Sequence, residues 1–455
     1  MDDSGSTMGT PPKPEPGVAL ATGSSDDTLA PAISDAELTA VSPEILANSL
    51  GEYFSAWGRR IRNGESGALP VLLGLVVVIV FFQIEESKFL TAGNLVNLLV
   101  QATIFIMFGA AEIFALLLSE IDLSIGYLAG VGAFVIAELI APPVNLPWWL
   151  GILGGLAACA FLGFIQGSLI TRLNLPSFVV TLGGYLGFLG LMLELASSSV
   201  DKTAVGGVIT IDPNSPVYKL VQSNMSTSLG WIVLVVALGI FAALMLLRAR
   251  QRRAQGLTAP PLGITMLTIG VTAIGGIVLM LICTANRSNG PISLKGVPWV
   301  IPFVVVILLA WTWLLARTRL GRYIYAIGAN PEAARRAGIN VNRIKTIAFM
   351  LCSLTAGIAG LIYESTLGSM STDINGGQYV LYAVAAAVIG GTSLFGGRGK
   401  PLHALLGGIV IATVFNGLGL MGINAAGTDI ATAIVLIAAV TLDSLVRRRA
   451  SGQMR

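Results

Sequence analysis

Twelve apolar runs, each near the length needed to cross a bilayer, follow one another from residue 68 onward, and no other feature constrains the fold as hard. They lie near Ala68–Ile84, Leu95–Leu118, Ile125–Ile140, Trp148–Ile170, Phe178–Leu195, Leu229–Leu247, Ile264–Ile282, Val297–Leu315, Thr346–Ile362, Val380–Leu394, Leu402–Met421 and Ile430–Val446. A segment in hydrocarbon must satisfy its own backbone hydrogen bonds, so runs of this length fold as helices. With 54% hydrophobic and 11% charged residues, no soluble core could take up the apolar surface. The expected fold class is all-α, a polytopic membrane helical bundle of about 10–12 transmembrane helices. Ile125–Ile140 and Val380–Leu394 are short and contain glycine, which predicts that one or two runs are broken or re-entrant.

The charges between the runs give an orientation. If every run spans, Arg248, Arg250, Arg252, Arg253, the Arg317–Lys345 loop, Arg398, Lys400 and Arg447–Arg449 share one side. Lys88, Lys202, Lys219, Arg287 and Lys295 fall on the other, and the positive-inside rule then puts both termini in the cytoplasm. Residues 1–41 are rich in Ser, Thr, Pro, Gly and Asp and read as a disordered cytoplasmic tail with no cleavable signal peptide. Residues 42–66 begin with Ser42-Pro43-Glu44 and place Leu46, Leu50, Tyr53, Phe54, Trp57 and Ile61 at helical spacing before Arg59, Arg60 and Arg62. That pattern fits an amphipathic helix on the membrane surface, or a cytoplasmic helix packed on the protein's own loops. The membrane domain is expected over residues 67–447, followed by a short cytoplasmic tail, 448–455.

The longest polar interval of the second half, within 316–345, carries seven cationic side chains and a compact helix signal. Asn330 suits an N-cap, Pro331 the first helical position, and Glu332 the positive end of the dipole. Ala333 and Ala334 continue the helix, Arg335 and Arg336 lie at its negative end, and Gly338 before Ile339 supplies a left-handed stop. So short a helix is not stable alone, which leaves two readings: an ordinary re-entry turn, or a helix held by a partner.

Two interruptions match across the halves, Ser119–Gly126 and Gly390–Gly399, and paired breaks of this kind either mark a pathway or are glycine-containing tight turns. The second is not a phosphate loop, because Leu394 stands where a glycine is required and Pro401 where a magnesium-binding hydroxyl is required. The chain is therefore expected to hold no nucleotide-binding domain and no cofactor. Cys159, Cys283 and Cys352 show no paired spacing, and His403 is the only histidine, so neither a metal site nor a catalytic constellation is expected. Ionisable and amide groups inside runs should face a cavity or a partner. The candidates for a substrate pathway are Gln101, Glu112, Asp122, Ser124, Gln166, Ser177, Thr181 and Asn416, a set suited to a neutral polyhydroxylated solute, although such groups also tie helices together.

GRYIYAIGANPEAARRAGINVNRIK, SEIDLSIG, LPSFVVTLGGYLGFLGLML and VIGGTSLFGGRGK occur in one order and together resemble the permease subunits of ABC sugar importers of the ribose, xylose and galactose type. The RARQRRAQGL loop between two extra runs is similar to the xylose branch. The resemblance covers about Ala68 to Val446 and implies a type II-like importer permease in a bacterial inner membrane. It further implies pairing with a second copy over cytoplasmic ATPase subunits that hold ATP and magnesium, and an extracytoplasmic sugar-binding protein; nucleic acid has no part. By the same resemblance the Asn330–Ile339 helix is the coupling helix that enters a groove of the ATPase. Alternating access, with energy delivered from the ATPases, is the implied mechanism.

A different class remains open: a secondary transporter driven by an ion gradient, with Glu112 or Asp122 as its coupling carboxylate. Carboxylates within runs are few and unclustered, which disfavours it. An intramembrane enzyme would need a nucleophile–base pair or a metal set that the runs lack.

Overall fold

Among the described residues the apolar runs fold as the hydrophobic pattern demands, and the departures are concentrated in two short helices. The computed structural model describes residues 69–199, 207–257, 261–288 and 293–434, with the single residues 51, 55, 437 and 441. The expected tail 1–41, the tail 448–455 and, apart from residues 51 and 55, the interfacial helix 42–66 lie outside the described residues. In chain order the helices are α1 (Leu69–Glu85), α2 (Ala92–Leu116), α3 (Ile125–Ile140), α4 (Trp148–Arg172) and α5 (Ser177–Ser197). Strand β1 (Ile209–Thr210) and α6 (Pro216–Gln222) come next. They are followed by α7 (Thr227–Ala254), α8 (Leu262–Thr284), α9 (Val300–Arg317), α10 (Arg319–Ala329), α11 (Pro331–Arg336) and α12 (Val341–Leu367). Strand β2 (Ser369–Met370), α13 (Gly376–Ile389), α14 (Pro401–Leu420) and a last helical segment, 425–434, complete the order.

Eight of these helices, α2, α4, α5, α7, α8, α9, α12 and α14, are long and apolar enough to cross a membrane. The shorter apolar helices α1, α3 and α13 account for three further runs. The run expected at Val380–Leu394 is displaced. Asn375 caps α13 by accepting from the Gln378 N–H at 3.2 Å, so the helix starts at Gly376, and it stops at Gly390. The all-α expectation holds apart from a two-residue antiparallel pair, Ile209 with Met370 and Thr210 with Ser369.

The core is the set α2, α3, α4, α12, α13 and α14, where small residues let backbones approach closely beside buried Phe108, Phe114 and Phe134. A Cβ added at Gly163 of α4 would lie 2.4 Å from Ser353 Oγ of α12, and one at Gly407 of α14 would lie 1.8 Å from the Ala386 carbonyl of α13. Helices in lipid gain stability from such close approach, because apolar side chains are as content in lipid as in protein. The pair α7–α8 is peripheral: it packs on itself and touches the core mainly through α2, leaving Val235, Val271 and Ile274 exposed to the surroundings.

The two short helices fall short of a full span, roughly 24 Å for α3 and roughly 21 Å for α13 against about 30 Å of hydrocarbon. They begin against one another. A Cβ at Gly126 would lie 1.9 Å from the Gly376 carbonyl oxygen, so the first turns of α3 and α13 meet backbone to backbone. Tyr379 of α13 stacks on Phe108 at 5.0 Å and Tyr382 meets Phe105 edge-on at 5.4 Å, which sets this meeting point level with the middle of α2. Short non-helical segments lead to each start: residues 119–124 from the end of the bundle that carries the basic loop, and residues 371–375 from the opposite end. The short, glycine-containing runs are thus two opposed helices.

Candidate functional site

The basic loop forms two helices at one end of the bundle. The first, α10, is amphipathic: Thr318 caps it by accepting from the Gly321 N–H at 3.2 Å, and Ile324 and Ile327 are buried against the core. It escaped the sequence reading, although Thr318 followed by Leu320, Ile324 and Ile327 is a legible signal. The second, α11, is the expected capped helix. Asn330 Oδ1 accepts from the Ala333 N–H at 2.9 Å, and Gly338 ends the helix at φ +80° with the Ile339 N–H donating to the Ala334 carbonyl at 3.1 Å. Ala334 is buried and Ile339 half-buried, whereas Glu332, Arg335 and Arg336 are exposed. Glu332 accepts from Arg335 at 3.1 Å and from Arg336 at 3.3 Å. Beside α11, Asn174 at the α4–α5 turn, Arg335, Gly338, Asn340 and Asn342 line a polar hollow of about 460 Å³.

This end of the bundle also brings the two matched interruptions together. Ser119 Oγ donates to the Phe395 carbonyl at 2.8 Å, and the Gly397 N–H donates to the Leu117 carbonyl at 2.9 Å. Tyr325 of α10 donates to the Gly399 carbonyl at 2.6 Å, and burial pushes its phenol above the usual range. Lys345 of α12 pairs with Glu120, both largely shielded. The end of α2, the 390–400 turn and the loop bearing α11 are therefore one bonded block.

The eight pathway candidates fall into two groups. Gln101 of α2 and Asn416 of α14 bond each other, Asn416 Nδ2 donating to Gln101 Oε1 at 3.3 Å, and Asn94 donates to Asn416 Oδ1 at 2.8 Å. The second group surrounds the start of α3. The Asp122 N–H donates to Glu112 Oε1 at 3.2 Å, and Ser124 donates to Asp122 Oδ1 through both its N–H (2.9 Å) and its hydroxyl (2.6 Å). Gln166 donates to Ser124 Oγ at 2.9 Å, and Thr181 donates to the Ile121 carbonyl at 3.3 Å. Ser177 is buried at the first turn of α5. Glu112 Oε2 and Asp122 Oδ2 are buried without a hydrogen-bond partner.

None of the eight lines a further hollow found among the described residues. That cavity, of about 590 Å³, lies between α5, α13 and the segment 425–434, with Tyr185, Asn375, Gln378, Tyr382, Asp429 and Thr432 on its wall. The Gln378 carboxamide donates to Asp429 Oδ1 and, at 2.8 Å, to the Tyr382 hydroxyl; Tyr382 donates to the same Asp429 oxygen at 3.2 Å. Tyr127 packs edge-on against Tyr185 at 4.8 Å. Sequence reasoning missed this trio because Asp429 comes from a different helix, 51 residues from Gln378; the spacing of Gln378 and Tyr382, one turn apart on α13, was the local hint.

Comparison with known proteins decides the family. A family profile described as "Branched-chain amino acid transport system / permease component" matches residues 94–440, most of the chain. The chain belongs to this permease family. Among curated relatives, the xylose transport system permease protein XylH of Escherichia coli (strain K12) is 33% identical over 381 residues, covering 83% of this chain and 92% of the relative. The ribose import permease protein RbsC of the same strain is 29% identical over 373 residues, 82% of this chain and 92% of the relative. The D-allose transport system permease protein AlsC of that strain is 27% identical over 373 residues, 82% and 90%. No solved structure matches. The permease is a multi-pass protein of the bacterial inner membrane, as its relatives and its eight long apolar helices require.

Proposed function

We propose that the chain is the membrane subunit of an ATP-driven sugar importer, carrying a pentose such as xylose. Two copies form the pathway, separate cytoplasmic ATPase subunits bind ATP and magnesium, and an extracytoplasmic binding protein delivers the sugar. Both termini then face the cytoplasm, and lipid surrounds the bundle. The observation that carries this reading is α11: a helix too short to stand alone, capped at both ends, fixed to the bundle by Ala334 and Ile339, with a charged face turned outward. Helix-in-groove docking is the physical use of such an element. Closure of the ATPases would reach α2 and α12 through the block bonded by Lys345–Glu120, Gly397–Leu117 and Tyr325–Gly399. The sugar class is supported by the names of the relatives and by a cavity whose wall holds hydroxyl, amide and carboxylate groups and no cation to meet an amino acid's carboxylate. The test is uptake of labelled D-xylose and D-ribose into vesicles holding the importer, binding protein and ATPase, with internal or external ATP and with the proton gradient collapsed. Uptake that needs ATP and survives collapse supports the reading.

One observation favours a second reading, transport driven by an ion gradient. Glu112 and Asp122 lie side by side, buried, each with an unpartnered oxygen. Uptake by the chain alone that stops when the gradient collapses would establish it in place of the first.

A further inference from the structure

Resting on the importer reading, the geometry points to a contact station for the passing sugar: we infer that the cavity between α5, α13 and the segment 425–434 holds it, with Asp429, Gln378 and Tyr382 bonding its hydroxyls and Tyr185 beside them. Asp429 is exposed on the cavity wall together with Asn375, Leu182, Leu381 and Ala433. A carboxylate facing hydrocarbon costs a few kcal/mol, so this face is turned to water or to a polar occupant. The three groups are ordered in advance: the Gln378 carboxamide is aimed by Asp429 and Tyr382, and Asn375 caps the helix that carries both Gln378 and Tyr382. Among the described residues both bonds to Asp429 fall on Oδ1, which leaves Oδ2 to accept from a ligand.

The chemistry selects a neutral polyol. The Gln378 N–H groups and the Tyr382 hydroxyl proton are already donated within the trio, so Asp429 Oδ2 and the Gln378 carbonyl oxygen are the acceptors left for a ligand's hydroxyls, and among the described lining residues no Lys or Arg stands to receive an anion. Tyr185 offers an aromatic surface for the apolar face of a sugar ring. The volume, about 590 Å³, suits a small ligand with water rather than a close-fitting one, and a loosely held solute is one that can be released onward. The position fits as well. The cavity opens where α3 and α13 meet, Tyr127 of α3 packing on Tyr185 and Gly377 of α13 lying close to the Tyr185 hydroxyl.

The three native cysteines are buried, which allows a direct test in the otherwise native, complete importer in lipid nanodiscs. Leu381 lines the cavity and Val235 lies on the peripheral α7, and both are exposed. The expected result is that a hydrophilic maleimide labels Leu381→Cys at least tenfold faster than Val235→Cys. D-Xylose during ATP turnover with binding protein present should slow that labelling at least threefold, and L-leucine should not. Asp429→Asn should lower the sugar carried per ATP at least fivefold. Labelling of Leu381→Cys no faster than Val235→Cys overturns the inference, as does labelling that xylose leaves unchanged, or an Asp429→Asn importer with wild-type yield per ATP. The importer reading itself fails by a different sign: a wild-type assembly that accumulates neither D-xylose nor D-ribose on ATP.

Discussion

Gly126→Ala adds one methyl group where α3 begins, and the structure sets its cost. The new Cβ would lie 1.9 Å from the Gly376 carbonyl oxygen, 2.5 Å from its carbon and 2.7 Å from its Cα. All three are backbone atoms, so no rotamer change relieves the contact. Ordinary van der Waals contact begins near 3.4 Å, and the two short helices must part by about 1.5 Å. Overpacking costs about 1–3 kcal/mol, and a rigid backbone clash belongs at the upper end. About 3 kcal/mol lowers the folded-to-unfolded ratio roughly 150-fold and, for a chain of 455 residues, the melting temperature by roughly 3 °C. The control is Gly270→Ala on α8, chemically the same change with nothing within 4 Å, which should melt within about 1 °C of wild type. Thermal unfolding of the three proteins in one detergent, read by intrinsic fluorescence and by monodisperse elution, makes the comparison. Equal melting of Gly126→Ala and Gly270→Ala would refute the backbone contact and with it the meeting of the two short helices.

Asn330→Ala removes the cap on the Ala333 N–H, a loss of about 1 kcal/mol in a helix of six residues; uptake per ATP should fall several-fold while the melting temperature stays unchanged. Glu332→Ala releases Arg335 and Arg336 from exposed pairs of little intrinsic stability, so the same two assays should again separate coupling from folding. Glu364→Leu removes a carboxyl whose two oxygens are buried without a hydrogen-bond partner, and a rise in melting temperature is expected; a fall would show that the carboxyl is partnered in the membrane. Tyr325→Phe should cost about 1 kcal/mol by orphaning the Gly399 carbonyl. Because burial raises the Tyr325 phenol, its contribution is complete below about pH 10 and is lost as pH rises beyond it, so the alkaline decline of the melting curve should be shallower in that variant.

The spans were legible because an apolar run of some twenty residues in a membrane chain has one solution, the helix. The capped helix α11 was legible for a local reason: Asn330, Pro331 and Gly338 each have a position they suit, and the Asn330 bond and the left-handed Gly338 are where those preferences place them. The start of α13 was not, because Asn375-Gly376-Gly377 reads as a turn, and only packing of Gly376 on α3 turns it into a first helical turn. Long-range pairing was invisible for the same reason. Ser119 and Phe395, 276 residues apart, and Gln378 and Asp429, 51 apart, meet through helix packing that no spacing encodes. Gln101 and Asn416 were recognisable as intramembrane polar groups, yet their bond to each other, with Asn94, depends on the approach of α2 and α14.

The abutment of Gly126 on Gly376 has a mechanical corollary. Opposed short rods that meet at their first turns share a fulcrum there, so a tilt of either produces little displacement at the point of contact. A tilt of about 10° would carry the far end of the roughly 24 Å α3 through about 4 Å. A few ångströms of movement delivered at one membrane face could thus reappear at the other with its sign reversed. Paired spin labels at the outer ends of α3 and α13 would register that seesaw as one distance growing while its counterpart shrinks.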